Sequence, residues 1–372
     1  MRRIIFIIFL TSLIFITGCW DKVEVDQRLF VSSIGIDLNK GGGKDRFIVT
    51  FEYPNINAIG KNATENKKTY VVSTASSSIF QAGRQFSTEV PFPLYYKHLK
   101  VLILGDELLN EEKLVREVVD ELNRDTKINK KLQIVVADGK AKDILESNNK
   151  HNQTSDGVIY TALKDNKFTS RFSSQTLTDM ISDFDFSDVT ITPKISIKGD
   201  GFKIAGGCIM KNYKHLAWID ERENKVICII NGKVNAESLD IIYKDSIVTY
   251  TITNAKSNKN ISIDDKIRAD ISIKIEGYLQ GYIMGENNIV YNNEVLKDME
   301  KAIETDVKNE IEKVLDLIQN TYNVDVIGIG EHLSKFHFKE WHQLKKDWDK
   351  IFPSVEINTT VDVKIRRTGL TK

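Results

Sequence analysis

The side chain with the clearest potential for chemistry is the thiol of Cys19, which follows the first apolar run of the chain. Arg2 and Arg3 precede this run, residues 4–16 are apolar except for two hydroxyl side chains, and Gly18 stands directly before the cysteine. A positive start, an apolar centre and a small residue at the cleavage point are typical of a secretory signal. The apolar centre is shorter than the roughly 20 residues that cross a bilayer, so the pattern favours a cleaved signal over a permanent spanning helix.

The residues Ile16-Thr17-Gly18-Cys19 resemble the bacterial lipobox, in which the cysteine sulfur receives a diacylglycerol and the peptide is cut just before it. This resemblance implies a signal peptide over residues 1–18 and a mature chain that begins at an S-diacylglycerol, N-acylated Cys19. Two acyl chains anchor a protein stably, whereas one chain binds a membrane only marginally. The expected location is the outer face of a membrane. Two alternatives stay open: an ordinary signal peptide with Cys19 lost or free, and an uncleaved signal anchor.

Histidine and the remaining cysteines are the next residues that could bind a metal or react. His332, His337 and His342 recur at steps of five, which places successive side chains about 140° apart on a helix rather than on one face. We interpret them as solvated or locally hydrogen-bonded. Cys208 and Cys228 each lie in an apolar segment, and two cysteines alone do not make a thiolate metal site. An extracytoplasmic location permits a disulfide between them, and buried free thiols are the other interpretation.

The carboxylates include no pair that the sequence singles out for acid–base chemistry. Asp183 with Asp185, and Asp264 with Asp265, are interpreted as residues of turns. The sequence contains no G-x-S-x-G, C-x-x-C or Walker pattern. We therefore predict a protein that is not an enzyme and that needs no metal or cofactor.

Composition limits the partners and the number of domains. The 372 residues include 52 basic and 52 acidic side chains. Loss of Arg2 and Arg3 with the signal leaves 50 basic and 52 acidic residues, a net charge of −2, and the two signs are interspersed. Such a charge pattern gives no indication of a nucleic-acid partner. The length predicts two or three domains.

The first half alternates between strand-like and helix-like apolar patterns, which predicts a mixed α/β region with one or two subdomains. Strands are predicted at residues 30–37, 47–53, 70–74, 98–104 and 132–137, and helices at 79–86, 111–122, 141–145 and 177–184.

The second half has β-patterned runs at hairpin-like spacing, which predicts an antiparallel sheet. These runs are 195–197, 202–210, 226–230, 238–243, 246–254 and 267–278, and an alternating strand at 355–367 closes the chain. Residues 295–318 carry one apolar stripe at steps of three or four and predict a long helix on that sheet, with a partner-protein groove as the alternative. The predicted fold class is α+β and multidomain, with an α/β region over residues 19–198 and an α+β domain over 199–372.

Three groups of residues, taken in order along the chain, resemble the Ger(x)C family, the lipoprotein C subunits of bacterial spore germinant receptors. The N-terminal group is Cys19-Trp20-Asp21, Glu24, Val31 and Gly35-Ile36-Asp37. The middle group is Tyr96, His98, Leu102-Ile103-Leu104-Gly105, Arg124-Asp125 and Asp143-Ile144-Leu145. The C-terminal group is Gln319, Asp325, Gly328-Ile329-Gly330, Trp341, Trp348, Phe352 and residues 361–369.

This resemblance implies a subunit that acts with a polytopic A subunit and a transporter-like B subunit in the inner membrane of the dormant spore. Such a complex responds to small nutrients and starts germination. A solute-binding lipoprotein of a membrane transporter is the alternative from another class. That alternative requires two doubly wound lobes around a cleft, whereas the second half of this chain has an antiparallel pattern. An envelope enzyme is a third and less favoured interpretation.

Overall fold

The computed structural model describes residues 27–55, 58, 68–147, 155–164, 169–234, 236–244, 246–283 and 293–367. Cys19 and the predicted signal peptide lie outside the described residues. The strands are β1 (Leu29–Phe30), β2 (Ser33–Leu38), β3 (Phe47–Pro54), β4 (Thr69–Ser76), β5 (Leu94–Tyr95), β6 (Val101–Leu104), β7 (Gln133–Ala137), β8 (Val189–Lys198), β9 (Gly201–Lys211), β10 (Lys214–Ile219), β11 (Glu237–Tyr243), β12 (Ser246–Ile263), β13 (Ile267–Ile283) and β14 (Glu356–Arg367). The helices are α1 (Ile79–Phe86), α2 (Glu112–Arg124), α3 (Ala141–Glu146), α4 (Ser155–Lys164), α5 (Leu177–Ser187), α6 (Glu221–Ile230), α7 (Asn293–Asp316), α8 (Ile329–Phe336), α9 (Phe338–Leu344) and α10 (Trp348–Ile351).

The larger sheet has eight strands in the order β10-β9-β8-β7-β6-β2-β3-β4. Its four central strands β2, β6, β7 and β8 run parallel, and the outer strands pair antiparallel through hairpins. Parallel neighbours need a crossover, and α2 supplies one between β6 and β7. The parallel strands therefore all begin at one edge of the sheet, which is also the edge where the chain enters β2.

Helices cover both faces of this sheet. Side chains alternate along β6, so Leu102 and Leu104 pack with α1, α2 and α5, while Val101 and Ile103 pack with α3 and α4. Burial on both faces explains why this strand is a continuous apolar run rather than an alternating one. The predicted mixed α/β character of the first half is confirmed.

The smaller sheet has four strands in the order β11-β12-β13-β14. The predicted antiparallel pairing is present among β11, β12 and β13, whereas β14 runs parallel to β13. The reason is the connection: the chain leaves β13, passes through α7 to α10 and returns in the same direction. The predicted long helix is α7, and its apolar stripe packs on this sheet, with Met299, Ile303 and Ile311 fully buried.

One predicted strand is wrong, since residues 226–230 belong to helix α6. Asp220 caps this helix by accepting hydrogen bonds from the backbone N–H groups of Arg222 and Glu223, and the Glu223 carboxylate accepts one from the Asp220 N–H. This capping box fixes the first turn. The apolar run after it is buried on most sides, so it shows no helical period that could distinguish it from a buried strand.

The two halves share strands and core residues across the predicted division. The boundary between residues 198 and 199 lies in the turn of the β8–β9 hairpin, and the runs at 195–197 and 202–210 belong to the larger sheet. Ile209 and Ile219 of that sheet belong to the same apolar core as α6, α7 and the smaller sheet. None of the described helices combines the length and hydropathy needed to cross a bilayer.

Candidate functional site

A polar cavity of about 540 Å³ lies where the two halves meet. Helix α5 and the start of β8 form one wall, and the opposite wall consists of α6, β12 and the loop before α8. Carboxylates face this space from both walls, and Lys233 and Lys259 face it from the second wall. The cavity is therefore a place where the described residues could bind a small polar molecule.

The first wall is organised around Asp183 of α5. One oxygen of its carboxylate, Oδ2, accepts hydrogen bonds from Thr190 Oγ1 at 2.5 Å and from Gln175 Nε2 at 3.2 Å. Burial raises the pKa of Asp183, while these hydrogen bonds and the charge of Lys233 across the cavity act in the opposite direction. The Asp183 carboxylate thus offers a hydrogen-bond acceptor at the wall of the cavity.

The opposite wall is organised around a half-buried lysine, Lys259, and a buried aspartate, Asp325. Lys259 Nζ donates to Asn231 Oδ1 at 2.7 Å and to the backbone carbonyl of Ile327. Asp325 is buried, and burial raises the pKa of its carboxyl, against the effect of its hydrogen bonds and of the Lys259 charge. Burial lowers the pKa of Lys259, and the charge of Asp325 opposes this shift. The hydrogen bond from Lys259 to the Ile327 carbonyl holds β12 to the loop that leads into α8.

Cys228 brings the most nucleophilic atom to the cavity. Its sulfur lies 3.2 Å from Ser173 Oγ and 3.6 Å from Asn224 Nδ2. Burial raises the pKa of the Cys228 thiol, so the group stays protonated rather than becoming a reactive thiolate. The lining residues include no histidine that could act as its base. This arrangement is suited to holding polar groups by hydrogen bonds and charge.

Asp325 also connects the residues that carry the C-terminal resemblance. Its carboxylate accepts hydrogen bonds from the N–H groups of Ile329 at 3.1 Å and Gly330 at 2.6 Å and from the Trp348 indole at 3.2 Å. A methyl group on Gly330 would lie 2.6 Å from the ring of Trp341, so only glycine fits there without displacement. These residues form one buried structure that fixes α8, α9 and α10 to one another.

Asp37 has the corresponding role in the first half. Its carboxylate accepts hydrogen bonds from the N–H groups of Ala141 at 2.7 Å and Lys142 at 3.0 Å, at the start of α3. A methyl group on Gly105 would lie 2.1 Å from the Asp37 carboxylate, and one on Gly35 would lie 3.1 Å from Leu145. The residues of β2, β6 and α3 that resemble the family therefore lie together. The glycines let the backbone approach Leu145 and Asp37 closely, and Asp37 binds the start of α3.

The structure locates the predicted cysteines and histidines that fall within the described residues. Cys19 lies outside the described residues. Cys208 on β9 and Cys228 on α6 are both buried free thiols. His332 lies on α8 and His342 on α9. Within the described part of the chain, no group of three or more histidine, cysteine and acidic side chains is placed to hold a metal ion.

Sequence reasoning missed the cavity residues. The interpretation of Asp183 and Asp185 as turn residues is wrong, because the helix predicted at 177–184 extends to Ser187 and carries both, with Asp183 facing the cavity. Its spacing of four from Asp179 on a predicted helix was the available signal. No sequence pattern indicates that Lys259 and Asp325 line a cavity, because their position there depends on contacts between distant segments.

The whole chain matches known spore germination proteins. A family described as spore germination protein N-terminal domain matches residues 21–197, and one described as spore germination B3/GerAC like, C-terminal matches residues 205–369. Spore germination protein YndF of Bacillus subtilis (strain 168) is 24% identical over 388 residues, covering 97% of this chain and 95% of that one. Spore germination protein KC of the same organism is 23% identical, covering 98% and 95%.

The fold matches a solved structure as well. The crystal structure of the GerBC protein superimposes with a TM-score of 0.58 at 19% sequence identity, covering 90% of this chain and 96% of that chain. An α/β region followed by a four-stranded sheet with a long helix is thus the architecture of a known class of protein. This chain belongs to the GerAC-like family of spore germination proteins.

Proposed function

We propose that this protein is a non-enzymatic, lipid-anchored subunit of a nutrient germinant receptor. Its partners are the A and B membrane subunits, and Cys19 carries the lipid that holds it at the outer face of the inner membrane of the spore. The observation that supports this proposal best is the match to both germination domains, in order, over nearly the whole chain. The lipobox-like residues Ile16-Thr17-Gly18-Cys19 support the lipid-anchored part of the proposal. A tether raises the effective concentration of the body next to its partners without any new contact.

The test replaces Cys19 with alanine in the native host and compares the variant with Cys208→Ala, a cysteine that does not line the cavity, at matched protein levels. Membrane fractionation of the spores and germination in a panel of nutrients are the two measurements. We expect the Cys19 variant to leave the membrane fraction and to lose nutrient germination, with nutrient-independent triggers still effective. Attachment through an unrelated membrane anchor should restore germination.

Two outcomes would contradict separate parts of the proposal. A Cys19→Ala protein that has lost residues 1–18 and still stays in the membrane fraction would show that the lipid is not the anchor. Spores that lack the whole chain and still germinate in every nutrient of the wild-type panel would contradict the receptor role itself.

The solute-binding alternative has one observation in its favour, the polar cavity between the halves. However, the two main sheets of the described residues are an eight-stranded mixed sheet and a four-stranded sheet, beside the two-stranded β1–β5 pair, and not two doubly wound lobes. Uptake of a labelled solute that depends on this chain, with normal germination, would favour the transporter role.

A further inference from the structure

Two phenylalanine side chains project into solvent where α8 meets α9. Phe336 is the last residue of α8 and Phe338 the first of α9, and each is 70% exposed. Lys335 and Lys339 flank them on either side. We call residues 335–339 the aromatic corner. Single exposed apolar side chains are common on protein surfaces, but two exposed phenylalanines only two residues apart concentrate apolar surface at one point of the fold.

The backbone of the aromatic corner is held by hydrogen bonds. The N–H of His337 donates to the carbonyl of Leu333 at 2.8 Å, and the carbonyl of His337 accepts from the N–H of Trp341 at 2.9 Å. Leu333 and Trp341 are buried on the inner faces of the two helices. The fold therefore presents the two phenylalanines outward, while the rest of α8 and α9 packs into the core.

The helices around the aromatic corner lie at the edge of the larger sheet where its parallel strands begin. Asp349 Oδ2 forms an ion pair with Lys211 Nζ at 2.7 Å, and Lys211 pairs with Val189, the first residue of β8. Lys345 Nζ donates to the carbonyl of Asp185, near the end of α5, at 3.2 Å. Because β2 is parallel to β8 within the sheet, this edge is also where the chain enters the fold.

The chain before the described residues limits how far this edge can be from the anchor. Eight residue steps separate Cys19 from Gln27. At about 3.3–3.6 Å per residue, a fully extended segment would reach roughly 28 Å at most. A lipid on Cys19 thus keeps this edge of the body close to the headgroup layer.

The charges around the aromatic corner suit an anionic surface. Of the four acidic side chains in residues 329–351, three are already bound to lysines: Glu331 to Lys335, Asp347 to Lys350 and Asp349 to Lys211. Lys339 and Lys346 form no ion pair with any described residue. Aromatic side chains flanked by lysine ammonium groups are typical of segments that lie in a membrane interface.

We propose that the aromatic corner docks on the bilayer, with Phe336 and Phe338 entering the headgroup–acyl boundary and Lys339 contacting anionic headgroups. This inference rests on the lipid anchor of the proposed function. The corner consists of two projecting side chains rather than a flat apolar patch with a polar rim, which favours a bilayer over a protein surface. Docking at a second point would fix the orientation of the body relative to the membrane.

The first experiment uses the lipidated full chain, with its lipid checked by mass spectrometry, in vesicles of phosphatidylcholine and phosphatidylglycerol. An environment-sensitive fluorophore is placed on Phe336→Cys, Phe338→Cys or Ile242→Cys, of which Ile242 is a matched control because it is 79% exposed on β11. We expect a blue-shifted emission and quenching by spin-labelled lipids at 336 and 338 but not at 242. Emission typical of water at all three positions would overturn the proposal.

The second experiment uses the mature chain without the anchor, residues 19–372 with Cys19→Ser, in a vesicle flotation assay. Replacement of both phenylalanines by alanine should weaken vesicle binding by at least about tenfold, and Ile242→Ala should leave it unchanged. Equal binding by all three proteins would contradict the proposal. Absence of lipid on the purified wild-type chain would instead refute the anchor, so the two failures are distinguishable.

If the anchored protein keeps its phenylalanines in water but the double variant abolishes germination, the corner binds a protein partner and not the bilayer.

Discussion

Asp37 and Asp325 each accept two backbone N–H bonds from the first turn of a helix. The N-cap residues of these helices are Lys140 and Gly328, and neither provides a side-chain cap. The first N–H groups of a helix have no partner within the helix, so an acceptor must come from elsewhere. A buried carboxylate supplies it in both halves of this protein. These aspartates are therefore structural residues, although a buried acidic side chain could also suggest catalysis.

Replacement of Asp325 by alanine should strongly destabilise the protein. The change leaves two backbone N–H groups and the Trp348 indole without their acceptor and removes the negative charge near Lys259. We expect a loss of about 3 kcal/mol in the free energy of unfolding, measured by urea denaturation. Asp347→Ala is the matched control, because that carboxylate is exposed and pairs only with Lys350. Equal stability of the two variants would contradict the role assigned to Asp325.

The pH dependence of stability should show the burial of Asp325. Burial raises its pKa above the ordinary value of 3.8, so the folded state binds a proton more readily than the unfolded state. The Asp325→Asn variant cannot titrate at this position. As pH falls from 7 through the raised pKa, the unfolding free energy of the wild type should therefore increase relative to that of the variant. A relative decrease on acidification would show that the hydrogen bonds and Lys259 outweigh burial.

At the scale of elements, helix α6 shows how a local signal can be hidden by an apolar run. Its capping box is readable in the sequence as Asp220 followed three residues later by Glu223. The buried residues after it are β-branched or small and suggested a strand. The helices α1, α2 and α7, by contrast, are half-buried and keep the apolar period that predicts them. Periodicity thus predicted the elements with one solvated face and failed where tertiary packing covers the whole element.

The capping box should make a measurable contribution to stability. Asp220→Ala removes the acceptor for the N–H groups of Arg222 and Glu223, which lie 2.8 Å from the Asp220 carboxylate. We expect a loss of about 1 kcal/mol in urea denaturation. Glu111→Ala is the matched control, because Glu111 is the N-cap residue of α2 and makes no capping hydrogen bond. The interpretation fails if the two substitutions have the same effect.

The candidate site was less predictable than the elements around it. Asp183 lies on a helix that the sequence does predict, but its partners Gln175 and Thr190 precede and follow that helix. Lys259 and Asp325 belong to segments 66 residues apart, and their proximity follows only from the packing of α8 on β12. Sequence patterns specify which face of an element is apolar. They do not specify which polar residues two distant elements will enclose together.

At the scale of the whole molecule, the two sheets do not coincide with the two sequence halves predicted at residues 198 and 199. Strands β9 and β10 follow that boundary in the sequence but belong to the larger sheet. A fragment of residues 19–198 would end at β8 and lose β9 and β10, including the buried Cys208 and Met210. A fragment of residues 19–219 keeps all eight strands. We expect the longer fragment to unfold cooperatively at a higher temperature in circular dichroism and to protect more amides from hydrogen exchange. Equal melting of the two fragments would show that β9 and β10 are not needed by the first half.

The parallel strand β14 also has a consequence for the rate of folding. Arg268 of β13 pairs with Glu356 of β14, and these residues are 88 positions apart. Contacts of such high sequence separation require the closure of a long loop before any stabilisation is gained, and they slow folding. The hairpins of β11, β12 and β13 can form as soon as residue 283 is synthesised, but β13 keeps an open edge until the final strand arrives. The smaller sheet is therefore the late-folding part of the chain, and its newly made form is the state most exposed to aggregation and proteolysis.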